Sequence, residues 1–275
     1  MKLNQLLSYI FFLLAFTAGS SCQKLDRPGM HDFKNDPDNP GGILKFYTAF
    51  DKTEVDSIKA NFGTAVNATY VDGVLGKAYK GASNAYINYP SANDFANATS
   101  FTIAFWMKQT PHDNGAEFIF ALPTTANEDL RSEVFFLVEN KGQSTPELMT
   151  GKFFLQDQWF VFGGDQRLKN ILNDQWHHLA FTYDEATSKL GTFVDGVALT
   201  GLPPGLTDVK KGGAPRGKLS FDKVSGFIIG GPASLALNKP YDSWQTNYTG
   251  SLDQFRIYNK VLSAAEIAAL YNNKQ

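Results

Sequence analysis

Phe101-Thr102-Ile103-Ala104-Phe105-Trp106-Met107 is the stretch whose reading decides the fold. A period of two sets Phe101, Ile103, Phe105 and Met107 on one face, and Thr102, Ala104 and Trp106 on the other. Apolar residues on both faces predict a strand covered on both sides. Working outward, comparable runs recur at 44–50, 117–122, 133–139, 152–156, 159–162, 176–184, 189–194, 226–230 and 251–258. Gly, Asn, Asp and Pro clusters separate them, as in chains built of many strands and tight turns. The run 189–194 ends in Asp195-Gly196, a tight-turn signal that feeds back into 197–199. One helix is marked, near the end. Ser263-Ala264-Ala265-Glu266 is a capping box, and Ile267, Leu270 and Tyr271 follow on one stripe that predicts docking onto a sheet.

The chain has 275 residues, of which 43% are hydrophobic and 14% aromatic, enough to bury a large core. Net charge is −2 and the charges are scattered, so no basic face is available to neutralise a phosphate backbone, and nucleic acid is not an expected partner.

Residues 1–22 read as an export signal: Lys2 is the positive start, an apolar run follows from Leu6 to Phe16, and Ala18, Gly19, Ser20 and Ser21 are small. The apolar run is too short for a stop-transfer helix. The single cysteine, Cys22, comes directly after, and Gly19-Ser20-Ser21-Cys22 resembles a relaxed bacterial lipobox, with Gly19 where a large aliphatic residue is usual. Lipidation of Cys22 would hold the chain at a membrane surface without a spanning helix. The alternative is an ordinary signal peptide that leaves an inert thiol. Residues 23–42 crowd Pro28, Pro37, Pro40, Gly29, Gly41 and Gly42 among few large apolar side chains, and read as a flexible tether. The folded part is then 43–275. The expected location is the cell envelope, as an outer-membrane lipoprotein facing the periplasm or the surface.

Four blocks together resemble laminin-G-like domains of the concanavalin A-like lectin/glucanase superfamily. They are Phe101 to Lys108, Trp176-His177-His178-Leu179-Ala180-Phe181-Thr182-Tyr183-Asp184, the hairpin from Leu190 to Val197, and the ending from Gly250 through Ser263 to Tyr271. They occur in the family's order and cover most of the chain after residue 43. The resemblance implies an all-β fold: a jelly-roll sandwich of two antiparallel sheets, with roughly a dozen strands and a closing C-terminal helix. It also implies a fold that often binds glycans and often holds one structural calcium. Fold alone does not fix activity.

Asp253 is the sharpest single residue. Strand alternation places it on the side of Phe255 and Ile257, and a buried carboxylate needs a cation or several donors. The resemblance implies calcium there, with Asp51 as a second ligand, although Gln254 stands where a second carboxylate is frequent. The alternative is that Asp253 caps loop amides. His177 and His178 point to opposite faces of one strand, so they cannot chelate one metal together, and His178 is expected to be packed and hydrogen-bonded.

Glycoside hydrolases on this sandwich commonly set carboxylates at i, i+2 and i+4 of one strand. The nearest match, Glu54-Val55-Asp56-Ser57-Ile58, lacks the third, and Glu133 and Glu139 are too far apart on their strand to pair. Catalysis is therefore not expected. Sugar sites combine aromatic faces with Asp, Asn or Gln. Tyr241, Asp242, Trp244, Asn247 and Tyr248 form one such segment; Asp157, Gln158 and Trp159 with Asp165, Gln166 and Arg167 form the other. Packing is the alternative for Trp244 and Trp159, while Trp106 and Trp176 are core positions. The expected function is non-catalytic binding of a polysaccharide or other glycan, as part of an uptake system. An adhesion module with a protein partner is the alternative, and a divergent glycosidase comes third.

Overall fold

The computed structural model describes residues 42–127 and 130–274. The signal segment 1–22 with Cys22, and the tether 23–42 except its last residue, lie outside them.

Two sheets face one another. The first is eight-stranded and runs, edge to edge, Val197–Ala198, Lys189–Val194, His177–Asp184, Phe101–Lys108, Ser251–Tyr258, Lys77–Lys80 and Thr69–Asp72, with Leu44–Thr48 also pairing with Ser251–Tyr258. The second is nine-stranded and runs Gln158–Phe162, Leu148–Leu155, Ser132–Glu139, Ala116–Pro123, Phe227–Ile229, Tyr86–Tyr89 and Thr64–Val66. Leu168–Lys169 and Gln245–Asn247 are added at its side, the latter as a parallel partner of Ala116–Phe118. The architecture is the expected antiparallel jelly-roll sandwich with that one parallel addition. The strand 101–108 sits centrally, between 177–184 and 251–258, as its two-sided apolar pattern requires.

The inward faces meet in one apolar layer. Phe101, Ile103, Phe105 and Met107 pack there with Phe120, Phe136, Phe153, Phe181 and Phe255. Phe255 lies at its middle, stacked on Phe105 at 5.6 Å and edge-on to Phe120 at 5.3 Å. A second cluster covers the other face of the eight-stranded sheet, where Ile267 of the helix Ala264–Asn273 packs with Leu44, Ala104, Ala180, Phe193 and Tyr258. The capping box forms as expected: Ser263 Oγ accepts from Glu266 N at 3.2 Å, and Ser263 N donates to Glu266 Oε2 at 2.7 Å. Tyr271 stacks on Trp106 at 5.3 Å. The Asp195-Gly196 turn has positive φ at both positions, 49° and 77°. This is the geometry a two-residue hairpin favours.

One register expectation is corrected. Leu252 pairs with Met107 and faces the core, Asp253 pairs with Trp106, and the ladder then slips before Arg256 pairs with Ala104. The slip is a bulge at Gln254, whose φ is +51°. It puts Asp253 on the face opposite Phe255 and Ile257, not beside them. Asp253 is nonetheless fully buried, under the turn between Asp72 and Lys77.

The two histidines part as expected. His177 Nδ1 meets Asp195 Oδ2 at 2.9 Å, while the His178 ring packs edge-on against Trp106 at 5.3 Å. Burial pulls His178 down to about 4, so it is neutral at physiological pH.

Candidate glycan-binding face

The outward face of the nine-stranded sheet carries a third apolar cluster of Phe118, Ala121, Phe135, Leu137, Phe154 and Ile228. Across it runs a row of rings. Trp244 lies 6.0 Å from Phe118, Phe118 5.0 Å from Phe135, and Phe135 4.9 Å from Phe154 in a near-parallel stack. Trp159 closes the row, edge-on to Phe135 at 5.2 Å and to Phe154 at 5.3 Å. The three phenylalanines are buried, but Trp159 is 37% exposed and Trp244 41%. The two segments singled out in the sequence therefore sit at opposite ends of one aromatic row.

Local structure explains each end. Trp159 and Val161 alternate with buried Phe160 and Phe162 on the edge strand 158–162, which turns the indole outward. Trp244 precedes the added strand 245–247, its Nε1 donating to Asp242 Oδ2 at 3.1 Å, with Tyr241 43% exposed beside it. Asn247 and Tyr248 belong elsewhere, which corrects their assignment as ligand residues. Pairing with strand 116–123 turns them inward. Asn247 Nδ2 donates to the Ala85 and Gly230 carbonyls at 3.0 and 3.1 Å, and Tyr248 is fully buried.

A polar cleft of about 640 Å³ lies at the Trp159 end of this face, lined by Glu133, Gln156, Asp157, Lys211, Arg216 and Asp222 among others. Glu133 shares a strand face with Phe135 by alternation. Burial raises its carboxyl, and Asp222 raises it further, against the opposing pull of hydrogen bonds from Thr124 and Gln156 and the charge of Lys223. The Arg216 guanidinium donates to Gln156 Oε1 at 2.6 Å, to the Lys210 carbonyl at 2.9 Å, and to Asp157. Its Nε is buried without a partner. Of the second sequence segment, Asp157 and Trp159 come together here. Gln158 instead fixes the neighbouring loop, through Asp208 O at 2.7 Å and Lys210 N at 2.8 Å. The sequence reading missed Glu133, Arg216 and Asp222 as site residues, because three separate elements bring them together.

The other carboxylates are structural. Asp56 is buried and accepts from Tyr47 N, Ile58 N, Lys59 N and Asn93 Nδ2; burial raises its carboxyl against those bonds. Glu139 is paired with Lys152 at 2.5 Å.

Asp253 accepts three amides: Val74 N at 2.7 Å, Leu75 N at 3.2 Å and Gln254 N at 2.8 Å. Burial still pushes it up to about 6, with the charge of Asp51 adding to the rise. Both carboxylates approach the same turn, where a Cβ on Gly73 would overlap Asp253 Oδ2 and one on Gly76 would overlap Asp51 Oδ1. Two carboxylates repelling one another across a glycine turn fit a calcium ion, whose remaining oxygens would come from carbonyls and water.

Residues 80–216 match the sequence model of the concanavalin A-like lectin/glucanases superfamily. The sandwich belongs to that superfamily. Mouse and human neuronal pentraxin-2 are each 28% identical to this superfamily member over 174 residues, which are 63% of this chain and 34% of theirs. The chain thus spans about a third of the length of the curated relatives it matches. Domain 4 of AbnA, an extracellular GH43 arabinanase from Geobacillus stearothermophilus solved with arabinotriose, is 18% identical. Its TM-score is 0.53, over 83% of this chain and 98% of that one. A mutant Trypanosoma rangeli sialidase displaying trans-sialidase activity is 16% identical, with a TM-score of 0.55 over 84% of this chain and 33% of that one. At such identities the likeness is one of fold.

These neighbours correct the expectation that the chain is not an enzyme. Chains of an arabinanase and a sialidase carry this fold, so the fold is compatible with catalysis. The sequence argument looked for carboxylates along one strand, whereas the cleft gathers Glu133, Asp157 and Asp222 from different elements.

Proposed function

We propose that the outward face of the nine-stranded sheet binds a glycan. The observation that carries this reading is the aromatic row ending in two half-exposed indoles beside a polar cleft. Indole faces suit the C–H surfaces of sugars, and the carboxylates, Gln156 and Arg216 suit their hydroxyls. The arabinotriose held by one fold neighbour makes arabino-oligosaccharides a sensible first probe. In the fuller proposal the chain is lipidated at Cys22, stands at the outer membrane on its tether, faces the periplasm or the surface, and serves polysaccharide uptake. A calcium ion at Asp51 and Asp253 steadies the sandwich.

Calorimetric titration with a panel of neutral and acidic oligosaccharides tests binding. Arg216→Ala is expected to weaken binding about tenfold, the loss of one charged hydrogen-bonding group. No binding across the panel would sink the reading. A second reading is favoured by Glu133, whose burial holds it protonated to higher pH, as a general acid requires. Release of reducing ends by the wild type, abolished in Glu133→Gln, would establish hydrolysis; no release would leave binding alone.

The calcium assignment has a pH signature. The folded Asp253 carboxyl lies near 6, above its ordinary 3.8. Its contribution to stability is therefore complete below about pH 4 and is lost as the pH rises through 6, a change of about 3 kcal/mol. Calcium at pH 7 should recover that loss as a higher Tm, and Asp253→Asn should show no calcium response. An identical response in the variant would remove Asp253 from the site.

A further inference from the structure

We infer that Gln109, His112, Glu117, Asn140 and Thr249 form a second metal site, for one divalent ion of the first transition row, apart from both the glycan face and the Asp253 turn. The Glu117 side chain is wholly buried, and its ion-pair partner among the described residues is His112, with Nε2 at 2.9 Å from Oε1. Thr249 Oγ1 donates to the same oxygen at 2.7 Å, and the Gln109 amide meets Oε2. Five elements or loops supply these side chains: the end of strand 101–108, the loop after it, strand 116–123, the end of strand 132–139, and the approach to strand 251–258.

Hydrogen bonding alone does not satisfy the cluster. His112 Nδ1 accepts the Asn114 N–H at 3.1 Å, which puts the ring proton on Nε2 and aims it at Glu117. The amide nitrogens of Asn140 and Gln109, at 3.2 and 3.3 Å, then face an N–H that has no lone pair for them. Gln109 is 4% exposed and its Oε1 is buried with no partner, a costly arrangement. Turning its amide about would relieve that oxygen only by setting it against the Glu117 carboxylate. A cation at the centre removes every conflict at once. It takes the carboxylate, the bare imidazole Nε2, the threonine oxygen and both amide oxygens.

The donor set also selects the ion. One carboxylate with one imidazole and neutral oxygens suits Mn²⁺ or Zn²⁺, whereas calcium prefers oxygen alone. The His112 side chain is 23% exposed and gives the ion a way in.

The test uses the full chain, untagged and stripped with chelator, titrated separately with Mn²⁺, Zn²⁺ and Ca²⁺. One equivalent of Mn²⁺ or Zn²⁺ is expected to bind and to raise the Tm, and Ca²⁺ should not compete for it. His112→Ala, a change in a partly exposed loop that leaves the core intact, should weaken binding at least tenfold, as should Glu117→Gln. Asp253→Asn should leave it unchanged. Absence of Mn²⁺ and Zn²⁺ uptake by the wild type would overturn the assignment, as would equal uptake by His112→Ala. Loss of uptake in Asp253→Asn would also overturn it, by moving the ion to the other site.

Discussion

Phe255→Ala is expected to lower the unfolding free energy by about 3–5 kcal/mol, the range for emptying a buried aromatic site. Phe255 touches Phe46, Phe105 and Phe120, so its removal opens a void between the sheets that no neighbour fills. For a domain of this size the loss corresponds to about 10 °C in Tm. Phe255→Leu should cost much less, since it keeps most of the volume. The comparison also tests the bulge at Gln254. Without that slip, strand alternation from the inward-facing Leu252 would turn Phe255 outward, and the alanine variant would cost little.

The second large effect concerns binding. Trp159→Ala and Trp244→Ala should each weaken glycan binding by about 1–2 kcal/mol, or about 5–30-fold, as exposed aromatic anchors do. The two indoles cap opposite ends of the row with three phenylalanine rings between them, so they do not touch and their effects should add. The double variant is then weaker by about a hundredfold. Both side chains are over a third exposed, so neither change should cost much stability. Unaltered affinity in the double variant would move the ligand off this face.

The central strands were legible because their cues are local. Phe101 to Met107 alternates without interruption, and Asp195-Gly196 and Ser263 to Glu266 are complete turn and cap signals within a few residues. Gln245–Asn247 gives no such cue. It is polar throughout and becomes a strand because Ala116–Phe118 offers a free edge. That pairing then decides where Asn247 and Tyr248 point, which composition alone cannot show. Asp253 was found for its buried charge but set on the wrong face, since one positive φ at Gln254 breaks the alternation. The polar cleft was out of reach for another reason. Glu133, Asp157, Arg216 and Asp222 are far apart along the chain, and only the turn at Gln156, with φ +57°, brings the first three together. Trp159 and Trp244 were visible as candidates, but the buried phenylalanines that join them were indistinguishable from other core residues.

The most direct measurement of the proposed binding face is a nitrogen–proton NMR titration of the four tryptophan indoles with oligosaccharide. Trp159 and Trp244 should shift together with increasing glycan, while Trp106, packed beneath Tyr271 on the other sheet, should stay fixed. Shifts confined to Trp106 and Trp176, or none at any indole under saturating glycan, would contradict the assignment of this face.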